Sequence, residues 1–240
     1  MTTSAAPQSP TIPELNRLIV RLPPDERTAF EGCLETIPLK VKDLLFEPDQ
    51  PHDYVYFPHN GVISLVTVLR DGDLIEAMTV GKEGFAGLAI FHGANSSACR
   101  GICQVSGYVS RITVQDFRRC MDLAPEMKRL LHRYAQYVFE TVSQSAACNR
   151  LHVIEQRCAR WLLMTHDRVG RDDFDLTQEF LAEMLAVRRP GVTVAIGILV
   201  SRGLIGHGRG TIRIIDRAGL EQASCECYNT VKKREAILLQ

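Results

Sequence analysis

The chain lacks net charge, long apolar runs and the short motifs of common enzyme classes. Lys and Arg number 28 and Asp and Glu number 28 among the 240 residues, so contact with nucleic acid requires a local basic patch. No segment approaches the roughly 20 apolar residues that span a bilayer, and we expect no membrane partner. The patterns Gly-x-x-x-x-Gly-Lys-Ser/Thr, Gly-x-Ser-x-Gly and His-Glu-x-x-His are missing. We therefore predict no catalytic residues and no enzymatic activity.

The N-terminus has no basic segment followed by an apolar core, so it does not read as a signal peptide. It predicts a disordered tail over residues 1–14 and a cytoplasmic protein. In a reducing compartment disulfides are not expected, although the chain has eight cysteines. The closest pairs, Cys99-x-x-x-Cys103 and Cys225-x-Cys227, have no second pair at zinc or iron–sulfur spacing. We predict small buried or inert thiols with no metal and no cofactor, and a redox or metal role is the alternative.

The first half of the chain predicts two short helices followed by a β domain. Residues 15–34 have helical periodicity that is interrupted at Pro23-Pro24. From about 39 to 114 the chain changes to short β-branched or aromatic runs, and Asp71-Gly72 between two of them indicates a hairpin. The predicted strands cover residues 54–57, 62–69, 74–80 and 104–112. Several short strands at this spacing indicate a sandwich or a double-stranded roll.

After Asp116 the pattern becomes helical, and one long helix has apolar positions at alternating spacings of four and three. These positions are Met127, Leu131, Tyr134, Val138, Thr141, Ser145 and Cys148. This spacing is typical of a coiled-coil seam, and we predict a dimer interface formed by Leu131, Tyr134, Val138 and Thr141. The alternative is a helix that packs on its own domain. A second amphipathic helix over 155–167 and a polar loop over 168–175 follow.

The segment 176–215 has the pattern of a helix-turn-helix followed by a wing. Thr177 is the predicted N-cap of a helix whose inner face includes the small residue Ala182, and residues 186–188 form the turn. A second helix then begins at Arg189-Pro190-Gly191, where a proline is tolerated because first-turn amides have no helical partner. Two short strands around a glycine-rich tip follow over 203–215. Between 176 and 217 six arginines face three acidic residues, an excess that suits phosphate binding.

These residues resemble the winged helix-turn-helix of the Crp/Fnr family, which includes the cyclic-AMP receptor protein. Upstream stretches resemble the same family, among them Tyr56-Phe-Pro-His-Asn-Gly61, Asn149-Arg-Leu-His152 and Arg160-Trp-Leu-Leu163. The resemblance implies an α+β chain with an N-terminal β-roll (jelly-roll, cyclic-nucleotide-binding-like) domain, a long dimerisation helix and a C-terminal winged helix-turn-helix. The corresponding expected boundaries are 15–120, 121–149 and 150–217, with a C-terminal tail over 218–240.

The resemblance also implies a homodimeric transcription regulator whose partners are double-stranded operator DNA and RNA polymerase. Bases are then read from Arg189, Pro190 and Val194, of which only Arg189 can donate two hydrogen bonds to a guanine. Gly191 is expected to let the backbone approach the DNA closely. The phosphate contacts are expected at Thr177, Arg188, Thr193 and Arg209.

Two departures from the family pattern concern the sensor domain. Cyclic-AMP binders have a Gly-Glu-x-Gly turn, but this chain has Gly84-Phe85-Ala86-Gly87, and Phe85 replaces the ribose-binding carboxylate. The phosphate-binding arginine is replaced within Ala94-Asn-Ser-Ser97, so an anionic phosphate would be desolvated without a partner. An N-terminal iron–sulfur cluster is not supported, and haem ligation by His92 or Cys99 is a minor alternative. We predict a sensor domain without cyclic-AMP-binding residues and with an unknown effector. The alternative function is a small-molecule or redox sensor whose helix-turn-helix makes protein contacts.

Overall fold

The computed structural model describes residues 15–240, so the predicted disordered tail over 1–14 lies outside the described residues. Helices and strands alternate irregularly along this range. The helices are α1 (Arg17–Val20), α2 (Pro24–Glu31), α3 (Leu88–Phe91), α4 (Val114–Leu123), α5 (Pro125–Leu151), α6 (Ile154–Val169), α7 (Gln178–Leu185), α8 (Arg189–Ser201), α9 (Arg217–Ala223) and α10 (Cys227–Leu238). The strands are β1 (Glu35–Leu39), β2 (Leu44–Phe46), β3 (Tyr54–Pro58), β4 (Val62–Val68), β5 (Leu74–Val80), β6 (Cys99–Val105), β7 (Gly107–Thr113), β8 (Asp173–Asp175), β9 (Ile205–His207) and β10 (Thr211–Ile214).

The strands β1 to β7 form a roll of two antiparallel sheets, with the orders β1-β7-β3 and β2-β6-β4-β5. The hairpin predicted at Asp71-Gly72 joins β4 to β5, and Gly72 takes the positive φ of 90° that this turn requires. The single strand predicted over 104–112 is wrong, because the chain changes sheets between β6 and β7. At this corner a Cβ on Gly107 would lie 2.4 Å from the backbone nitrogen of Gly61, so the two chain segments can cross only with a glycine there.

The helices α1 to α5 cover one side of the roll and share a core with it. The two short N-terminal helices are confirmed, and Leu18 and Phe30 pack with Phe57 and Phe117 in this core. The long helix α5 runs past the roll and buries Met127, Leu130 and Leu131 against it. The helix α6 begins after only two residues, so α5 connects the roll directly to the C-terminal domain.

The C-terminal domain contains α6, α7 and α8 around one apolar core, with a small sheet of order β8-β10-β9. The predicted polar loop over 168–175 is wrong at both ends. Arg168 belongs to α6 and is buried. Its buried charge is compensated by an ion pair of the guanidinium with buried Glu83 at 2.8 Å. Residues 173–175 form β8, which pairs with β10 and extends the predicted two-stranded wing to three strands.

The predicted C-terminal tail over 218–240 is also wrong, because this segment forms α9 and α10. The helix α10 packs along α5 and buries Tyr228, Val231 and Leu238, which share one face at helical spacing. Its charged residues Lys232, Lys233, Arg234 and Glu235 weaken the apolar pattern. Three of them are ion-paired: Glu235 with Arg17 at 2.8 Å, Arg234 with Glu140 at 3.3 Å and Lys232 with Asp167 at 3.9 Å. The predicted order of β-roll, long helix and winged helix-turn-helix is confirmed.

No single helix within residues 15–240 is both long and apolar enough to cross a membrane. The pair α7 and α8 passes that test together by length and composition, but the two helices meet at 110°. Both contribute buried residues to the core of the C-terminal domain.

Candidate nucleic-acid interface and sensor pocket

The helix-turn-helix consists of α7, the turn 186–188 and α8. The hydroxyl of Thr177 accepts a hydrogen bond from the backbone amide of Phe180 and caps α7, as the sequence predicts. Ala186 ends α7 in the left-handed conformation, with φ of 51°. A short side chain suits this residue because bulkier side chains are more strained there. The helix α8 begins at Arg189 with Pro190 in its first turn, also as predicted.

The outer face of α8 is exposed at all three residues predicted to read bases. The side chain of Arg189 is 65% exposed and its Nε lies 3.5 Å from a carboxylate oxygen of Glu179. Val194 is 63% exposed, and Pro190 is exposed beside it. The face therefore offers one guanidinium and two apolar groups, which can contact a guanine edge and thymine methyl groups.

Gly191 packs closely on the neighbouring helix α6. A Cβ at this position would lie 3.0 Å from Cδ1 of Ile154, the first residue of α6. The residue is only partly exposed, so its missing side chain allows close packing of α8 on α6. The structure therefore gives Gly191 an internal packing role, and the expectation that it lets the backbone approach DNA stays a prediction.

The six arginines between residues 176 and 217 fall into two groups. Four lie within ion-pair distance of a carboxylate: Arg189 with Glu179 at 3.5 Å, Arg202 with Glu155 at 2.9 Å, Arg213 with Asp173 at 2.6 Å and Arg217 with Asp167 at 2.6 Å. Within residues 15–240, Arg188 and Arg209 have no carboxylate partner, and both are exposed. Arg188 precedes α8, and Arg209 lies at the tip between β9 and β10. The cations free to meet phosphates are thus fewer than the composition of the segment suggests.

The two threonines predicted to bind phosphate are both partly engaged. The oxygen of Thr177 accepts the capping bond, so its hydroxyl hydrogen remains free to donate. The hydroxyl of Thr193 lies 2.7 Å from Oε1 of Gln178, to which it donates. To contact a phosphate, the Thr193 hydroxyl would have to give up its hydrogen bond to Gln178 and donate to a phosphate oxygen instead.

The turn Gly84-Phe85-Ala86-Gly87 is filled by aromatic packing. Phe85 is 1% exposed and lies between aromatic rings of the roll, of α3, of α4 and of α5. These rings belong to Phe57, Phe91, Phe117 and Tyr134, with centroid distances between 5.2 and 6.4 Å. A Cβ on Gly84 would lie 2.2 Å from the ring of Tyr134, so α5 packs directly on the turn. Protein side chains occupy the volume around Phe85.

The long helix does not present the predicted dimer residues to solvent. Leu131, Tyr134 and Thr141 are at most 1% exposed within one chain, and Val138 packs partly against the cores of the roll and the helices. The apolar seam of the sequence therefore packs on its own domain, which was the alternative. A second stripe lies one position further along at the same four-three spacing. It consists of His132, Ala135, Phe139, Val142 and Ala146, of which Phe139 is 69% exposed.

Several polar contacts join the roll to the C-terminal domain, among them the ion pair of Glu83 with Arg168 and a contact between Glu76 and Trp161. The carboxylate of Glu76 on β5 accepts a hydrogen bond from Nε1 of Trp161 on α6 at 2.9 Å and another from the hydroxyl of Ser64. Glu76 as a residue is only partly buried, but its carboxyl group lies deep enough that desolvation raises its pKa to about 7.

Comparison with known proteins agrees with this geometry. Residues 156–223 match the model of the Crp-like helix-turn-helix domain. FixK2 from Bradyrhizobium japonicum has a similar structure, with a TM-score of 0.68 at 16% identity, over 80% of this chain and 98% of that one. The CRP-family regulator TTHB099 from Thermus thermophilus has a TM-score of 0.65 at 20% identity, over 78% of this chain and 96% of that one. The c-di-GMP-responsive regulator CLP from Xanthomonas campestris has a TM-score of 0.63 at 13% identity, over 79% of this chain and 98% of that one. No curated protein sequence matches the chain.

These matches show that the chain has the fold of Crp/Fnr regulators over its roll, long helix and C-terminal domain. Within that fold it carries a Crp-like helix-turn-helix domain. The resemblance predicted from the sequence is confirmed.

Proposed function

We propose that the protein is a sequence-specific DNA-binding transcription regulator that acts as a homodimer in the cytoplasm. The observation that carries this proposal is the exposed first turn of α8, which presents Arg189 next to exposed Arg188, in a domain that also exposes Arg209 at the tip between β9 and β10. TTHB099 is described as a transcriptional regulator and CLP as a global regulator of gene expression, which supports regulation and not enzymatic catalysis. Operator DNA and RNA polymerase are the proposed partners.

We assign the proposed roles of individual residues from the exposure of their side chains. Arg189, Pro190 and Val194 read bases in the major groove, and Thr177, Arg188, Thr193 and Arg209 contact phosphates. The roll over 15–120 senses an effector, the helix over 121–149 dimerises and residues 150–217 bind DNA. We extend the last unit by α9 and α10, because Leu220 and Tyr228 belong to its core.

The proposed partner of α5 is a second copy of this chain. An exposed phenylalanine beside Val142 in the middle of a 27-residue helix is costly in water, and a coiled-coil contact would bury both. The flanking Ala135 and Ala146 are small, which permits a close approach of two helices. The dimer face is therefore proposed at the stripe that contains Phe139, instead of at Leu131, Tyr134, Val138 and Thr141.

The sensor domain is proposed to have lost ordinary cyclic-nucleotide binding. Phe85 stands where a ribose-binding carboxylate would be needed, and its ring packs among four other aromatic rings. Calorimetry with cyclic AMP and cyclic GMP should show no binding in the micromolar range. A micromolar dissociation constant for either nucleotide would contradict this proposal.

Titration of labelled promoter DNA at several salt concentrations tests DNA binding itself. Binding through phosphates must weaken steeply with salt, because each neutralised phosphate releases counterions. The matched variants Arg188→Ala and Arg209→Ala should bind every sequence more weakly and each reduce the slope of log affinity against log salt by about 1. Salt-independent binding, or no binding, would favour the alternative in which the helix-turn-helix makes protein contacts.

A further inference from the structure

Four potential metal ligands meet where the long helix joins the C-terminal domain. Cys148 lies in the last turn of α5, and His152 follows as the C-cap of that helix. Cys225 and Cys227 lie between α9 and the start of α10. One ligand atom from each of the four residues lies within 4.8 Å of every other.

The separations suit a single tetrahedral ion. Sγ of Cys148 lies 3.5 Å from Sγ of Cys225, and Sγ of Cys227 lies 3.6 Å from Nδ1 of His152. Bonds of about 2.3 Å to sulfur and about 2.0 Å to nitrogen place neighbouring ligand atoms of a tetrahedral zinc site roughly 3.5–3.8 Å apart. Such short separations enclose one ion and leave no room for a cluster of several irons.

The surroundings also match those of a metal site. Nε2 of His152 lies 3.2 Å from a carboxylate oxygen of Glu226, which orients the ring so that Nδ1 points toward the sulfurs. Nε2 of Gln144 donates to Sγ of Cys227 at 3.0 Å, and the guanidinium of Arg160, which donates to the hydroxyl of Ser145 at 3.0 Å, lies near Cys148. Three thiolates and one imidazole around a divalent cation have a net charge of −1, which the Arg160 guanidinium opposes.

Clustering distinguishes these three cysteines from the other buried cysteines of the chain, such as Cys103 and Cys158. Cys148, Cys225 and Cys227 are 0 to 3% exposed and form a small cluster of their own, separate from the three larger apolar cores. His152 is partly exposed and gives an ion a route from solvent.

We propose that Cys148, His152, Cys225 and Cys227 bind one Zn²⁺ ion per chain. Three sulfurs and one imidazole nitrogen are a common ligand set of structural zinc sites. The ion would tie the segment between α9 and α10 to the junction between α5 and α6, which contains only His152 and Val153. It would therefore fix the position of the C-terminal domain relative to the long helix. This site is independent of the DNA contacts proposed above.

Metal analysis of the full-length protein, purified under reducing conditions without added chelator, tests the proposal. We expect one zinc per chain and an X-ray absorption spectrum with three sulfur neighbours at about 2.3 Å and one nitrogen. Replacement by Co²⁺ should give the intense visible bands of a tetrahedral thiolate complex. The variant Cys225→Ser should lose the metal, and Glu226→Gln should lower zinc affinity about 10–100-fold in competition with a chelator. Cys99→Ser, at a partly exposed cysteine outside the cluster, is the matched control and should keep the metal.

Three results would overturn the proposal, and each can be obtained with the wild-type protein if Cys225→Ser fails to fold. The first is reduced wild-type protein that contains no zinc and takes up neither Zn²⁺ nor Co²⁺. The second is bound zinc whose spectrum lacks the three sulfur neighbours. The third is a Cys148–Cys225 disulfide that persists in protein kept under reducing conditions.

Discussion

Arg189 is the residue on which sequence discrimination should depend most. It has the only guanidinium among the three exposed side chains proposed to read bases, and its partner Glu179 is a loose one at 3.5 Å. Two hydrogen bonds to a guanine are worth about 1–3 kcal/mol of discrimination. We expect Arg189→Ala to lose affinity in this range and to relax preference at one base pair per half-site.

Selection from random DNA, with the wild type and Arg189→Ala in parallel, measures this effect. Arg188→Ala is the control, because a lost phosphate contact lowers affinity for all sequences alike. Unchanged sequence preference in the Arg189 variant would show that another element reads the bases.

At the residue scale, the sequence predicts the local geometry of the helix-turn-helix better than the contacts that hold the molecule together. Thr177, Pro190 and the turn 186–188 act locally, through capping and first-turn geometry, and short-range patterns suffice to find them. The buried pair of Glu83 and Arg168 is 85 residues apart in sequence, and Arg168 therefore looked like part of a polar loop. Cys148 and Cys225 are 77 residues apart. The signal that was available is Cys148-x-x-x-His152 at a helix end together with Cys225-x-Cys227.

At the scale of elements, α5 shows what periodicity can and cannot determine. The four-three spacing predicted the helix correctly, but it could not tell which of two neighbouring stripes faces the chain's own roll. The sequence predicts the more apolar stripe as the dimer seam, whereas the structure buries it within one chain. The helix α10 was missed for the opposite reason, since its four consecutive charged residues obscure an apolar face.

The exposed stripe of α5 leads to a prediction about dimerisation. In Phe139→Glu/Val142→Glu two charges replace apolar groups that are exposed in one chain and would be buried between two chains. We expect this variant to fold and to sediment as a monomer at micromolar concentration, because only the contact between copies is lost.

The control for this prediction is Leu131→Glu, which places a charge in the core of a single chain. Leu131 is fully buried, so this variant should lose folding stability by several kcal/mol, and circular dichroism would show it. A double variant at Phe139 and Val142 that remains a dimer would show that the two copies meet at another surface.

At the scale of the whole molecule, the contact between Glu76 and Trp161 links the roll to the C-terminal domain and should make stability depend on pH. Desolvation raises the pKa of Glu76 from 4.5 to about 7, although hydrogen bonds from Ser64 and Trp161 and the charges of Arg168 and Arg160 oppose the shift. The folded pKa is above the unfolded one, so the contribution to stability is fully present below pH 4.5. It is lost as the pH rises through 7, by up to about 3 kcal/mol.

In Glu76→Gln the amide oxygen can still accept the hydrogen bond from Trp161, but the side chain cannot ionise. We expect the variant to match the wild type in urea unfolding near pH 4.5 and to exceed it in stability at pH 8. Glu183→Gln, at an exposed carboxylate on α7, is the control and should leave the pH dependence unchanged. Trp161 is the only tryptophan, so its fluorescence reports on the same contact and should titrate near pH 7 in the wild type alone. An identical fluorescence titration in Glu76→Gln would mean that another group near Trp161 ionises, and the proposed pH-sensitive contact between the domains would be wrong.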